Sequence, residues 1–313
     1  MQKFNYTRHG REELLVDFLV RRFPYLKREE WLDAVSTGAV KVNNRKVRVD
    51  CTLENRDVVS YDRPRSAEPE IDESYHIVYE DDDILVVEKS GNIPIAESGR
   101  YYRNTLINIL KEREGFPELF AVHRLDRETS GIILIAKNRH IAALLGRQFS
   151  DQIPRKKYMA ILRGMFSQKE ILVDRPIKKN IPLPGNVRIR QIVSPTGKPS
   201  KTLFRARKVV GGLTLAQIEL FTGRTHQIRC HAEFIGYPVL GDKLYGNTDE
   251  QFLAILGGRE NPNFPLFGLI DRQLLHASSL EFRHPSSGEW MRFESDYRKE
   301  FEKYDAIQDI IEE

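Results

Sequence analysis

One carboxylate set among arginines is the most chemically suggestive arrangement in this chain of 313 residues. Asp126 stands in His123-Arg124-Leu125-Asp126-Arg127-Glu128-Thr129-Ser130-Gly131, a charged, turn-prone string that runs straight into the apolar stretch Ile132 to Ala136. Such a string puts acid, base and guanidinium side chains where a rigid sheet meets a loop, which is where sites concentrate. Arg124 and Arg127 flank the acid, and Arg224 and Arg229 recur in Gly223-Arg224-Thr225-His226-Gln227-Ile228-Arg229. Tyr158 lies in a basic strand region. Opposite charge nearby holds an aspartate ionised and nucleophilic, and guanidinium groups bind phosphates through paired hydrogen bonds.

Other chemistries lack their residues. There is no Gly-x-Ser-x-Gly elbow, no phosphate loop ending in Gly-Lys-Ser/Thr and no Gly-x-Gly-x-x-Gly, so hydrolysis by serine, nucleotide hydrolysis and dinucleotide chemistry have no support. His226, Cys230 and His231 could suggest zinc, but no fourth ligand stands at finger spacing, and histidines five apart do not share a helical face. Asp81-Asp82-Asp83 reads as a turn, because three consecutive carboxylates do not give the ligand alternation of a calcium loop. No metal is expected.

The charges are unevenly spread. The balance of 49 basic against 45 acidic residues gives only +4, yet Arg155 to Lys208 holds 15 Lys or Arg against Glu170 and Asp174. The tail from Arg292 to Glu313 carries four bases and eight acids. A basic block of that kind is what phosphate neutralisation requires. Cys51 and Cys230, far apart, argue against a disulfide framework and fit a reducing compartment. The start lacks an apolar core of signal-peptide length and no apolar run would span a bilayer, so the chain reads as soluble and cytoplasmic, with no membrane partner.

The elements that must position these residues follow from periodicity. Leu14, Leu15, Phe18 and Leu19 predict a helix ended by Pro24; Trp31, Leu32 and Val35 predict a second, capped by Gly38. Val40 to Val47 alternates around Asn43-Asn44, a hairpin signal. Two helices feeding a hairpin resemble the S-four-type RNA-binding module, whose Gly-x-Val-x-Val-Asn core is nearly matched by Gly38 to Asn43. Lys27-Arg28, Asn44 and Asn55-Arg56-Asp57 depart from that pattern. The expected organisation is a small S-four-like α/β RNA-binding module over residues 1–63, a linker over 64–75 and a catalytic domain over 76–313. In the last, strands are expected at 77–80, 84–89, 157–164, 204–210 and 213–221, and helices beginning near Leu106, His140 and Thr225, the last capped by Thr225.

The string from His123 to Gly131 resembles the His-Arg-Leu-Asp-x-x-Thr-Ser-Gly signature of the RluA-type pseudouridine synthases. Gly223 to Arg229 resembles that family's second strong motif, and Gly197-Lys198-Pro199-Ser200-Lys201-Thr202, Leu275-His276-Ala277 and Pro285 echo weaker ones. Lys89-Ser90-Gly91-Asn92 falls where the family has Lys-Pro-x-Gly, with Ser90 and Asn92 as departures. The resemblance spans His76 to Pro285. It implies an α+β fold, a mixed, mainly antiparallel central sheet with flanking helices and a catalytic cleft, and isomerisation of uridine to pseudouridine in structured ribosomal or transfer RNA. Gly99 to Thr105, rich in arginine and tyrosine, resembles the branch acting on transfer RNA. By the same resemblance Asp126 is catalytic, Arg229 pairs with it and Tyr158 lies against the uracil face. Arg124 enters the stack as the base flips out, and Arg224 and His226 contact the RNA backbone. An isomerisation imports nothing, so no cofactor is implied; the chain would act as a monomer on RNA and not on DNA. The rival readings are a non-catalytic RNA-binding or assembly protein on the same fold and a single-Asp glycosidic hydrolase, which lacks a motif-anchored second carboxylate.

Overall fold

A computed structural model describes residues 2–7, 12–23, 26–62, 68–180, 189–256 and 269–312. Pro24 and most of the Pro64 to Glu70 segment lie outside them. Two compact units are present: Met1–Glu70 with Ala96–Thr105, and Ile71–Ile95 with Leu106–Glu313. The sequence reading assigned Ala96–Thr105 to the larger domain. Within the first unit that segment is tied down by Glu68, whose carboxylate accepts from the backbone N–H groups of Tyr102, Arg103 and Asn104 at 2.8, 2.9 and 3.0 Å. Glu68 thus satisfies three donors that a loop would otherwise leave unpaired.

The first unit packs helices Leu15–Arg22 and Arg28–Ser36 with a four-stranded sheet ordered Gln2–Asn5, Val58–Tyr61, Val40–Val42, Arg45–Lys46. Leu15, Phe18 and Leu19 are buried as their spacing predicts, whereas Leu14 lies before the helix and is exposed. Trp31 fills the centre, its ring 5.0 Å from that of Tyr61. Asn43 and Asn44 both take positive φ, the pair of left-handed residues that a two-residue hairpin turn requires, and Lys41 pairs Lys46 across it.

The second unit is built on a ten-stranded sheet. Ile84–Lys89 and Ser130–Ala136 run antiparallel as neighbours toward one end of it, and their apolar residues sort by parity. Leu85, Val87, Ile133 and Ile135 face one core with the helix Leu106–Glu114; Ile84, Val86, Ile132 and Leu134 face another with the helix Arg139–Ser150. A strand covered on both faces reads as a continuous apolar run, as Ile132 to Ala136 does. In Arg155–Arg163, Tyr158, Ala160 and Leu162 face the first core while Met159 and Ile161 face a third, covered by Phe301, Tyr304, Ile307, Ile310 and Ile311 of the C-terminal segment. The hairpin Lys201–Val210 to Leu213–Leu220 turns at Gly211-Gly212, both at positive φ. No helix among the described residues is long and apolar enough to cross a membrane.

All strand pairs in this sheet are antiparallel but one. Ser130 and Gly131 pair in parallel with His276 and Ala277 of the strand Leu275–Arg283, at the point where the Asp126 string enters its strand. Gly131 takes φ +103°, and a Cβ there would lie 2.3 Å from the Ala277 carbonyl oxygen and 2.7 Å from its nitrogen. Both the conformation and the approach therefore require glycine. Gly131→Ala should lower stability by about 3 kcal/mol or more, combining backbone strain with an overpacked contact that cannot relax. Gly211→Ala, at φ +59° with open space around it, should cost only about 1 kcal/mol. Urea midpoints measured side by side test this; equal shifts would contradict the close-approach argument.

Candidate active site

The Asp126 string leaves the short strand Phe120–Ala121 and enters Ser130–Ala136. Leu125 is buried in the first core, which fixes the loop and turns Arg124 outward and Asp126 toward a cavity. Beneath the loop lies Lys89, fully buried, its ammonium donating to the carbonyls of Ser90 at 2.8 Å, Arg127 at 3.2 Å and Thr129. Burial pushes its pKa down to about 7, with the Arg272 charge adding to the effect. Asn92 and Ile93 donate their N–H groups to the Arg127 carbonyl at 2.9 and 3.1 Å, while Arg127 donates to the Asn92 side chain at 2.6 Å. Asn92, one of the departures from the expected turn, takes φ +75°, a region that asparagine tolerates better than most residues. Glu128 is held in turn by Lys243 at 2.7 Å, and its carbonyl by Arg272 at 3.1 Å.

Arg229 enters from the helix Gln227–Phe234. The expected cap, Thr225, is displaced by one residue: His226 is the N-cap, in a left-handed conformation at φ 54°, and makes no side-chain capping bond. Gln227 supplies the order that a cap would have given. Its side-chain oxygen accepts from Thr222 Oγ1 at 2.7 Å and Arg224 N–H at 3.0 Å, while its amide nitrogen donates to the Lys201 carbonyl at 3.0 Å. Arg229 Nη1 then donates to Asp126 Oδ2 at 2.9 Å, while Nε and Nη2 form a fork on Asp242 at 2.6 and 2.8 Å. Asp242 is fully buried and also accepts from the N–H groups of Leu244 and Tyr245. The Arg229 guanidinium lies 4.9 Å from the Tyr245 ring centroid.

These contacts set the charges. Burial, the largest single effect, would raise the Asp126 carboxyl, but the charge and hydrogen bond of Arg229 together with the fields of His226 and Arg124 outweigh it, and the carboxyl falls below its ordinary range. Burial lowers the His226 imidazole, against the opposing pull of Asp126. Gln191 N–H donates to the Tyr245 oxygen at 2.9 Å, so the Tyr245 hydroxyl is left to donate to His226 Nδ1 at 3.1 Å. That network assigns the ring proton to Nε2, 3.9 Å from Asp126 Oδ1. Tyr158 is buried, and burial together with the Asp126 charge raises its phenol, which stays protonated at neutral pH.

The cavity measures about 350 Å³ and is lined by Arg124, Asp126, Tyr158, Arg224 and His226, with Lys156 and Phe149 also on its wall. Five of the six residues singled out from sequence thus line one space, and the sixth, Arg229, bonds to Asp126 and lines an adjoining recess. Arg124 and Arg224 are exposed at the rim. His231 lies elsewhere, bonded to Thr202 Oγ1 and the Arg175 carbonyl, each at 2.9 Å. The sequence reading missed Lys89, Lys156, Gln227, Asp242 and Tyr245. Only Asp242, an acid directly after the apolar Val239-Leu240 and a glycine, offered a signal, that of a carboxylate entering a core.

Comparison with known proteins agrees with this geometry. The sequence model of the RNA pseudouridylate synthase family matches residues 83–234. Ribosomal large subunit pseudouridine synthase C of Vibrio parahaemolyticus is 34% identical over 283 residues, covering 86% of this chain and 84% of that protein. The protein of the same name from Escherichia coli K12 is 36% identical over 273 residues, covering 82% and 81%. Among solved structures, human RNA pseudouridylate synthase domain containing 1 superposes with a TM-score of 0.58 at 27% identity, over 76% of this chain and 90% of that one. Motifs, fold and relatives converge, and the chain belongs to the RluA-type family of RNA pseudouridine synthases.

Proposed function

We propose that this protein isomerises uridine to pseudouridine in large-subunit ribosomal RNA, with Asp126 as its catalytic carboxylate. The reading rests above all on the Asp126–Arg229 pair at 2.9 Å, an acid kept ionised although it is mostly withdrawn from water. Ribosomal rather than transfer RNA is favoured by the names of the two bacterial relatives. The reaction breaks the bond from N1 to the sugar, turns the uracil and joins carbon five to the same sugar carbon. Carbon five loses a proton and N1 gains one, so reactant and product have the same atoms. No electron acceptor is required.

In this reading the uridine flips out of its stack, because a stacked base is out of reach of Asp126. Arg124 at the exposed rim takes its place in the RNA, Tyr158 lies against the uracil, and Arg224 and His226 contact the backbone around it. The ionised Asp126 acts on the nucleoside while Arg229 holds its orientation. The first unit serves as an RNA clamp: Arg45 and Lys46 are exposed on the outer strand of its hairpin. A non-catalytic assembly factor would bind the same RNA and leave its uridine unchanged.

Two aspartates on one arginine should respond differently. Asp126→Asn should abolish tritium release from RNA labelled at uridine carbon five while leaving unfolding almost unchanged. Asp242→Asn should cost about 2–4 kcal/mol of stability, since it strips a fully buried arginine fork of its charge partner. Asp126→Asn activity within tenfold of wild type would remove the assignment, and an unfolding midpoint for Asp242→Asn equal to wild type would remove the structural role.

The clamp is tested by charge. Arg45→Glu with Lys46→Glu should weaken binding to a large-subunit ribosomal RNA transcript and flatten the log-log dependence of affinity on salt, by roughly 0.7–0.9 for each phosphate no longer neutralised. Identical slopes and affinities would leave the first unit without an RNA role.

A further inference from the structure

Lys156 is the one cation on the cavity wall for which the family motifs supplied no role. It lies two residues before Tyr158 on the strand Arg155–Arg163 and lines the same cavity as Asp126. It is half-buried, and no carboxylate among the described residues pairs with it. Its ammonium lies 6.0 Å from the centroid of the Phe149 ring, which on its own account stacks with His123 at 4.5 Å. A Cβ placed on Gly223 would come within 3.4 Å of the Lys156 nitrogen, so the ammonium rests against the turn that carries Arg224.

A cation held partly away from water without a counter-charge is costly unless an anion completes it. Asp126 does not serve: its ion pairs are with Arg229 at 2.9 Å and the His226 ring at 3.9 Å, and none reaches Lys156. His123 cannot serve either. Its Nε2 accepts from the Leu134 N–H at 3.0 Å, and burial pushes its pKa down to about 3, so the ring is neutral. No described residue supplies the anion.

The cavity's layout indicates which anion. A small adjoining recess, lined by Arg229, Thr129 and Leu275, shares Asp126, Tyr158, Leu220, Arg224 and His226 with the main space, whereas Lys156, Phe149 and Gln152 line the main space alone. A nucleotide with its sugar and base at Asp126 and Tyr158 leaves the Lys156 side of the main space for its charged end. Resting on the proposed reaction, we infer that Lys156 is a positioning residue that binds a backbone phosphodiester at the target nucleotide, with Arg224 on the other side of the Gly223 turn. A compact ammonium with three rotatable donors suits a non-bridging phosphate oxygen better than a neutral uracil carbonyl.

The test uses the full-length protein and a large-subunit ribosomal RNA transcript labelled with tritium at uridine carbon five, in single-turnover reactions over a range of enzyme and salt concentrations. Lys156→Met should raise the half-saturating concentration by about tenfold, with a smaller effect on the saturated rate, and should lower the salt slope by about 0.7–0.9. Lys156→Arg, which keeps the charge, should restore most of the affinity and the slope. A Met variant with wild-type half-saturation and slope overturns the inference. So does a loss of affinity at unchanged slope, the mark of a contact to the base, or an Arg variant as weak as Met, the mark of a packing role. If wild-type protein releases no tritium, the proposed reaction falls and this inference falls with it; turnover by wild type with an unaltered Met variant removes the inference alone.

Discussion

Arg229 placed between two carboxylates is the constraint on which the site depends. Asp242 takes the Nε side of the guanidinium with two bonds, and one N–H of Nη1 reaches Asp126. The division matters because a guanidinium with one partner could rotate or slide, whereas a fork fixed on a buried acid has one remaining direction. Asp242 is itself fixed by two backbone N–H groups, so the orientation passes from Leu244 and Tyr245 through Asp242 and Arg229 to Asp126. Two negative charges on one cation also keep Asp126 from being neutralised outright. It remains an ionised acid with one oxygen committed and the other facing the cavity and the His226 ring.

The loop that carries Asp126 is held by charges that sequence reading had no means of joining. Lys89 converges on carbonyls of Ser90, Arg127 and Thr129, so one buried ammonium gathers both ends of the loop and the turn after the strand Ile84–Lys89. Three acceptors around three donors satisfy a cation that would otherwise be expelled from such a place. The departures Ser90 and Asn92 do not loosen this arrangement. It runs through backbone carbonyls and through an asparagine in the left-handed region, and neither depends on the side chains that were replaced.

What was legible in the sequence was local. The strand at 84–89, the apolar run Ile132 to Ala136, the Asn43-Asn44 and Gly211-Gly212 turns and the helical spacing of Leu15, Phe18 and Leu19 all came through, because each depends on neighbours in the chain. The site residues that motifs anchored also converged on one cavity. Gln227 and Lys89 were illegible for a common reason. Each acts through a tertiary partner, and a single Gln or Lys carries no mark of being buried. Thr225 failed as a cap because tertiary contacts from Gln227 set the entry to the helix, and a capping preference of about 1 kcal/mol does not compete with its bonds to Thr222, Arg224, Lys201 and Thr202.

The basic block shows the same limit from the side of charge. Fifteen cations between Arg155 and Lys208 suggested a surface made for phosphate, yet several are already engaged. Arg190 is buried on Glu233, Asp249 and two carbonyls, Arg205 bridges Glu170 and Glu219, Arg155 meets Glu281 and Lys201 meets Asp174. The first of these is structural, and the exposed pairs are weak enough for a phosphate to compete for them. Counting sequence charges therefore overstates the binding surface, and what decides is where an unpaired cation stands. Arg124, Lys156 and Arg224 have no acid partner among the described residues and surround one cavity whose carboxylate is already held by Arg229. In the proposed reaction a polyanion drawn to that rim would meet its positive charge first, and Asp126 would be reached by a nucleotide that has left the stack.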